Sequence, residues 1–523
     1  MFANRDLVLL SALLAFFVWG CSHTSPPEER VERHPKGRAE ADVRFLADDL
    51  LEGRGTPSRG LDVAAVYLAN QLRGAGWAPG VSDGNYLQPY EFSVFDQGAA
   101  EYRVLINGVP IPRDEYLYIS MGLRPDQTPV EFDLVLAGYG VSVPEEGVDD
   151  FKDLDVAGKA VVALLGAPWE LDPLGILDPA HAVGKSVQIF GRNGAMLVYV
   201  TAELSDPALT TPSAEIGFHA PFSTLPLAQL LENPRSMAFV PMLMIGPAVF
   251  DRVLAEAARG TYDELQARLT QGQSVAKALS ATVRMEIVAE TTRGTANNVI
   301  GILPGTDPAL RDEWVILSAH YDALGVRPGV PPGEDAISNG ADDDASGTAA
   351  VLETARRLAA AGPMKRSVMV ALFSGEEKGL MGSAHYTAHP LAPLGQTVVN
   401  INVDQVGRSG GTVQALSPGS EGLFQTAVES GKAAGVTVIP DQNPTWRMSY
   451  YFDSYNFAKN DVSHITIFTA NHEDYHQPGD EAEKIQFDEL EKVVDMVTGL
   501  AEHYGRGAKK PNYRRPEWFL TPK

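Results

Sequence analysis

The chain has almost no cysteine and too little positive charge, and each shortage closes off a class of proteins. Cys21 is the only cysteine among 523 residues, so no intrachain disulfide can form. Lysine and arginine number 42 against 67 acidic residues, a formal net charge of -25. That balance excludes nucleic-acid partners, because neutralising phosphates takes a clustered basic surface. The basic tail 506–523 is too short to reverse it. No internal repeat is present. With 44% hydrophobic and 21% charged residues, the composition is that of a soluble globular protein with roughly two to four folding units.

The N-terminus departs from this. After Arg5 an apolar run extends from Leu7 to Trp19, followed by Gly20-Cys21 and a polar linker, SHTSPPEERVERHPKG. A charged start, a short apolar run and a small residue form an export signal. The position of Cys21 resembles a bacterial lipoprotein processing site, which would leave a lipidated cysteine as the first residue and make an N-terminal lipid anchor the only contact with a membrane. A plain signal peptide, or an uncleaved anchor with an incidental cysteine, is the alternative. The expected setting is the bacterial cell envelope.

Beyond the linker, residues 39–77 give two helical segments around a Gly/Pro/Ser loop, stopped by Gly74 and Gly76. From about Val130 strands dominate: VEFDLVLAGYGV alternates, and AGKAVVALLGAP and GAMLVYV are continuous apolar runs. After Thr295 strands and helices alternate, with helices expected at about 347–361 and 487–504. Such alternation means an α/β fold around a largely parallel core sheet.

Polar residues recur where these strands end, the edge at which open α/β sheets gather ligands. EWVILSAHYD ends in His320 and Asp322, VMVALFSGEE in Glu376 and Glu377, and TVVNINVDQVG in Asp404. HITIFTANHEDYH runs to His476, and the loop NGADDDASG supplies Asp342, Asp343 and Asp344. One carboxylate at a strand end is usually a helix cap, but four such ends and an acidic loop are more than capping requires.

HEDYH, His472 to His476, also has the spacing H-E-x-x-H, which on a helix would turn two histidines toward one zinc. Here a β-branched strand ends at Phe468 and Pro478-Gly479 stops any helix. The zincin arrangement therefore has no helix to occupy, and His476 has the better claim to a metal. His472, His464 and His385 read as ordinary histidines.

SAHYD, GADDDASG, FSGEEKGLMGS, NVDQVG and YHQPGD, in this order, resemble the co-catalytic di-zinc aminopeptidases of the aminopeptidase Y and aminopeptidase S type. The segment EFDLVLAGYGVSVPEEGVDDFKDLDVAGKAVVALLGAP resembles the start of the protease-associated domain inserted in many relatives. The resemblance implies a zinc exopeptidase fold: a mixed, largely parallel sheet sandwiched by helices, with an inserted β-rich domain. It divides the chain into a signal segment (1–21), a linker (22–38), an N-terminal part of the catalytic domain (39–125), the insert (126–285), the catalytic domain proper (286–505) and the tail (506–523).

By position it implies two zinc ions per chain. His320 and Asp404 would hold one, Glu377 and His476 the other, and Asp343 would bridge them, with Asp342 and Asp344 as neighbouring alternatives for the bridge. Asp322 would orient His320, Glu376 would be the general base, and Asp453 falls where relatives carry a supporting aspartate. The implied reaction is removal of N-terminal residues from peptides. A carboxypeptidase or amidohydrolase on the same site would need a basic side chain for the substrate carboxylate, with Arg408 and Arg447 as candidates. A metal-free binding lipoprotein is the reading from a different class.

Overall fold

The computed structural model describes residues 37–516, apart from 96–99, 120–127, 144–146, 168–184, 187, 190, 193, 202–221, 225–240, 328–329, 443–447 and 470–471. Cys21 and Arg447 lie outside the described residues. None of the described helices is long and apolar enough to cross a membrane.

Two helices open the fold, α1 (Arg38–Leu46) and α2 (Arg59–Gly74). The Ser58 hydroxyl caps α2 by accepting from Leu61 N at 3.0 Å. Leu61, Ala64, Ala65, Leu68 and Leu72 then fall on one buried face at helical spacing.

Strands β1 (Leu87–Phe95) and β2 (Thr291–Leu303) pair antiparallel, although they are remote in sequence. Beside them lie β3 (Trp314–His320), β4 (Ser367–Phe373), β5 (Thr397–Val403), β6 (Thr412–Leu416), β7 (Thr437–Ile439) and β8 (His464–Phe468). From Phe222–Thr224 at one edge the order is β1, β2, β4, β3, β5, β8, β6, β7. The central β4, β3, β5 and β8 are mutually parallel, while β2 and β6 flank them antiparallel. The sheet is thus mixed, and its parallel strands are buried almost throughout, as strands covered on both faces are.

Helices α3 (Gly347–Ala360) and α5 (Phe487–Gly505) cover one face, and α4 (Met381–Ala388) and the short helix Ser454–Ala458 cover the other. Val315, Leu317 and Ala319 of β3 join the core under α3 and α5; Ile316 points the other way, toward Tyr386 and Phe457.

A second sheet occupies the excursion between β1 and β2. Its order is 109–111, 101–106, 277–288, 130–136, 160–164, 196–200, 242–245, 116–119. Helices Pro247–Val253 and Tyr262–Thr270 contribute Val249, Phe250, Leu265 and Leu269 to its core. This sheet begins at Glu101, ahead of the boundary at 126 expected from the sequence. Tyr102, Val104 and Ile106 alternate inward as their strand pairs with Val283–Val288, and 109–111 and 116–119 join the same sheet.

Candidate metal centre

Strand register brings the polar strand ends to one edge. His320, the last residue of β3, is opposite Phe373, the last of β4, so Glu376 and Glu377 emerge beside it. Val403 of β5 is opposite Ile467 of β8, which places Asp404 next to the loop that carries His476. The acidic loop is a wide helical turn, Ala341–Ser346, leading into α3. Gly340 opens it at φ 56°, and a Cβ there would lie 2.1 Å from Asp343 O, so only glycine lets the turn close.

Within this turn the three aspartates face different partners. Asp342 Oδ1 accepts from Gly407 N at 2.6 Å and Ser346 Oγ at 3.0 Å. Asp344 Oδ1 accepts from Gly347 N at 2.9 Å and Gln405 N at 3.1 Å, and its Oδ2 from His320 N at 3.2 Å. The Oδ1 of each is thus taken up by the turn itself and by the loop after β5. Asp343, at non-helical φ -108° and ψ 90°, turns outward instead. Its Oδ1 lies 3.2 Å from His320 Nε2 and its Oδ2 3.2 Å from His476 Nε2.

Around Asp343 the donors fall into two groups, each with ligand atoms within 4.8 Å of one another: His320, Asp343 and Asp404, and Asp343, Glu377 and His476. His320 Nε2 is 3.7 Å from Asp404 Oδ2, and His476 Nε2 is 3.5 Å from Glu377 Oε2. Imidazole nitrogen and carboxylate oxygen suit zinc, and one carboxylate shared by two such groups suits a pair of ions.

Asp322 backs the first group. It is fully buried, with Oδ1 3.6 Å from His320 Nδ1 and accepting from Glu376 N at 3.2 Å. Glu376 belongs to neither donor group; its Oε2 lies 4.0 Å from His320 Nε2.

The electrostatics call for cations. Burial pushes Glu377 up to about 7. Burial raises Glu376, Asp404 and Asp344 well above the carboxylate range, with neighbouring carboxylates adding to it. Burial also works against a charged His320, but Glu376, Asp404, Asp322 and Asp343 outweigh it and hold that imidazole well above its usual value. His476 is raised in the same way against burial, by Glu377 and Asp343. Asp343 is buried too, yet its contacts with the two imidazoles bring it below the ordinary range. The carboxylates thus favour positive charge at both imidazoles, the place a metal ion would take in either group.

The loop 472–480 holds the turn from the other side. Asp480 Oδ2 accepts from both Asp342 N and Asp343 N at 3.0 Å. His476 sits at φ 60°, a region that non-glycine residues seldom occupy, with its ring stacked on Tyr475 at 3.8 Å between centroids. His472 is more engaged than the sequence indicates. Arg408 Nη1 and Asp474 N both donate to its Nδ1, at 2.9 and 3.2 Å. That leaves the hydrogen on Nε2, which faces Asp342 Oδ2 at 3.2 Å.

Arg408 also donates to Asp474 Oδ2 at 2.6 Å, so its charge is already paired. His385 stacks between Tyr90 and His389, and His464 is buried at the start of β8; neither belongs to a donor group. Burial pushes Asp453 up to about 7, against the pull of His320 and Ser383. The sequence alone gives no role to Asp480, Arg54 or Thr56, which all contact this site.

The donors also lie within a segment that matches one family model. Residues 298–501 match the model of Peptidase family M28. The matched segment contains both donor groups, Asp322 and Glu376, begins within β2 and excludes the second sheet. Aminopeptidase YwaD of Bacillus subtilis (strain 168) is 28% identical over 251 residues, 46% of this chain and 51% of YwaD. A probable zinc metalloprotease of Pyrenophora tritici-repentis (strain Pt-1C-BFP) is 34% identical over 158 residues, 28% of this chain and 31% of that protein. A solved aminopeptidase from Aneurinibacillus sp. strain AM-1 aligns over 93% of this chain and 95% of its own, with TM-score 0.49 and 19% identity. The chain spans about half the length of YwaD.

Proposed function

We propose that this chain is an exported zinc-dependent aminopeptidase that removes N-terminal residues from peptides. The observation that carries the reading is Asp343, whose two oxygens face two imidazoles and so belong to two donor groups at once. His320 and Asp404 would hold one zinc ion, Glu377 and His476 the other, and Asp343 both. Asp343, Asp404 and Glu377 supply three of the four negative charges that balance two divalent ions. When bound, the metals would polarise the scissile carbonyl and lower the pKa of the attacking water.

The chain's own residues do the rest. Glu376, whose carboxyl is raised by burial, receives the water's proton at its carboxylate and delivers it to the leaving amine. Asp322 holds the Glu376 backbone and faces His320 Nδ1, which keeps Nε2 turned toward the donor group. The complete donor set and Glu376 favour an enzyme over a metal-free binding protein. The pairing of Arg408 with Asp474 and His472 leaves it poorly placed to take a substrate carboxylate, which favours the aminopeptidase over the carboxypeptidase.

Free α-amines are the substrate handle in this reading. Aminoacyl reporter substrates are expected to turn over and their N-acetylated counterparts not, with a chelator abolishing the reaction. Equal cleavage of blocked and free substrates would select the amidohydrolase alternative.

The second sheet, in this reading a protease-associated domain, controls substrate access or partner contact. Cys21 is the lipid attachment site, on the strength of its position after the apolar run. Cys21→Ser is expected to move the protein from the membrane fraction to the soluble one, because acyl chains supply the anchoring free energy. A variant that fractionates with membranes as the parent does would exclude the anchor.

A further inference from the structure

Arg54 is among the largest fully buried side chains of the molecule, with 0% of its surface exposed. Among the described residues it forms no close ion pair. Its guanidinium donates to backbone carbonyls alone: Nε to Tyr321 O at 2.7 Å, Nη1 to Asn339 O at 2.8 Å and to Leu46 O, and Nη2 to Gly340 O at 3.0 Å. These acceptors are specific in what they join. Tyr321 follows His320, and Asn339 and Gly340 lead into the turn that points Asp343 outward. One planar fork therefore ties the strand end that carries His320 to the turn that carries Asp343.

A guanidinium buried this deeply is costly unless the surroundings compensate. Burial brings Arg54 down to about 10, and Asp322, Asp480, Asp344 and Asp343 act against that, so the group is still charged at neutral pH. Of these four carboxylates, Asp343 belongs to both donor groups and Asp322, Asp480 and Asp344 stand behind them. A neutral amide could bridge the carbonyls, but only a cation also relieves the mutual repulsion of the aspartates.

The next residues continue the brace. Arg54 O accepts from Ala323 N at 3.3 Å, and Gly55 forms a bridge with Ala323. Thr56 Oγ1 donates to Asp322 Oδ2 at 3.0 Å, the oxygen opposite the one that faces His320 and Glu376 N. The backbone is specialised to reach this place. Gly53 sits at φ 63°, where a Cβ would lie 2.5 Å from Ser338 O, and Arg54 itself sits at φ 48°. A non-glycine residue in that region is retained only where its surroundings over-determine it.

We propose that Arg54 and Thr56 are positioning residues of the metal centre: Arg54 sets the separation of His320 and Asp343, and Thr56 fixes Asp322 so that His320 presents Nε2. The inference rests on the metal-site reading above. It gives the N-terminal segment, distant in sequence from every donor, a part in metal binding.

The test uses the full chain and its Thr56→Val, Arg54→Lys and Arg54→Gln variants. Zinc affinity is read by competition with a chromogenic chelator, and melting midpoints are taken for the metal-free and zinc-loaded forms. Thr56→Val keeps the shape of the side chain and removes the hydroxyl that donates to Asp322. It is expected to weaken zinc binding about 10–100-fold, the usual effect of losing a partner behind a ligand, and to narrow the gap between the two midpoints. Arg54→Lys, which keeps the charge and loses the fork, is expected to weaken binding at least as much, and Arg54→Gln more. If the arginine variants fail to fold, Thr56→Val decides. Variants that bind zinc as tightly as the parent, with both midpoints lowered equally, would show a brace for the fold alone and overturn the inference. A parent chain that binds no zinc overturns the metal reading itself, and this inference with it.

Discussion

Glu376→Gln is expected to keep the parent's zinc content and to lower kcat by a factor of about 10²–10⁴, the usual worth of a positioned acid/base group. The metal content should hold because Glu376 belongs to neither donor group. The rate should fall because glutamine, nearly the same shape, can neither take the proton of the attacking water nor return it to the leaving amine. In free-energy terms the loss is roughly 3–5 kcal/mol of transition-state stabilisation. Two features suit Glu376 to this role. Asp322 fixes its backbone N–H, and burial raises its carboxyl well above the ordinary range. Turnover and elemental analysis on one preparation check both halves. A Glu376→Gln enzyme with parental kcat would remove the proposed base.

The second large effect concerns the HEDYH stretch. His476→Ala should lose both activity and zinc, because the group of Asp343, Glu377 and His476 would be left with two protein ligands. Glu473→Gln should cost little, since Glu473 is exposed and belongs to no donor group. In a zincin the outcome would be reversed at Glu473, which would serve as the base. The described residues from 472 to 480 are turns rather than helix, as Pro478-Gly479 requires.

Much of this arrangement is legible in one dimension. WVILSAH and TVVNINVD are largely apolar or β-branched until they end in a donor, so the strands and their chemical edge can be read together. The choice among Asp342, Asp343 and Asp344 is not legible. It depends on which carboxylates the backbone N–H groups of Gly347, Gln405 and Gly407 claim, and those N–H groups converge only after β5 has docked beside β3. Arg54 and Thr56 are hidden for a related reason. Arg54 has backbone carbonyls as partners, which leave no mark in a sequence, and two of them lie 267 and 285 residues downstream. The early start of the second sheet is also hard to read, because Glu101–Ile106 is a short alternating strand whose partner, Lys277–Val288, is remote in sequence too. His472 reads as ordinary because its partners, Asp342 and Arg408, come from two other loops.

The measurement that tests the central claim most directly is zinc per chain, determined by elemental analysis beside turnover of a free aminoacyl substrate, for the parent and His476→Ala. Two donor groups sharing Asp343 predict about two zinc ions in the active parent, and a variant with less zinc and no turnover. Active protein with no bound transition metal, or a His476→Ala variant that keeps its zinc and its rate, would contradict the account.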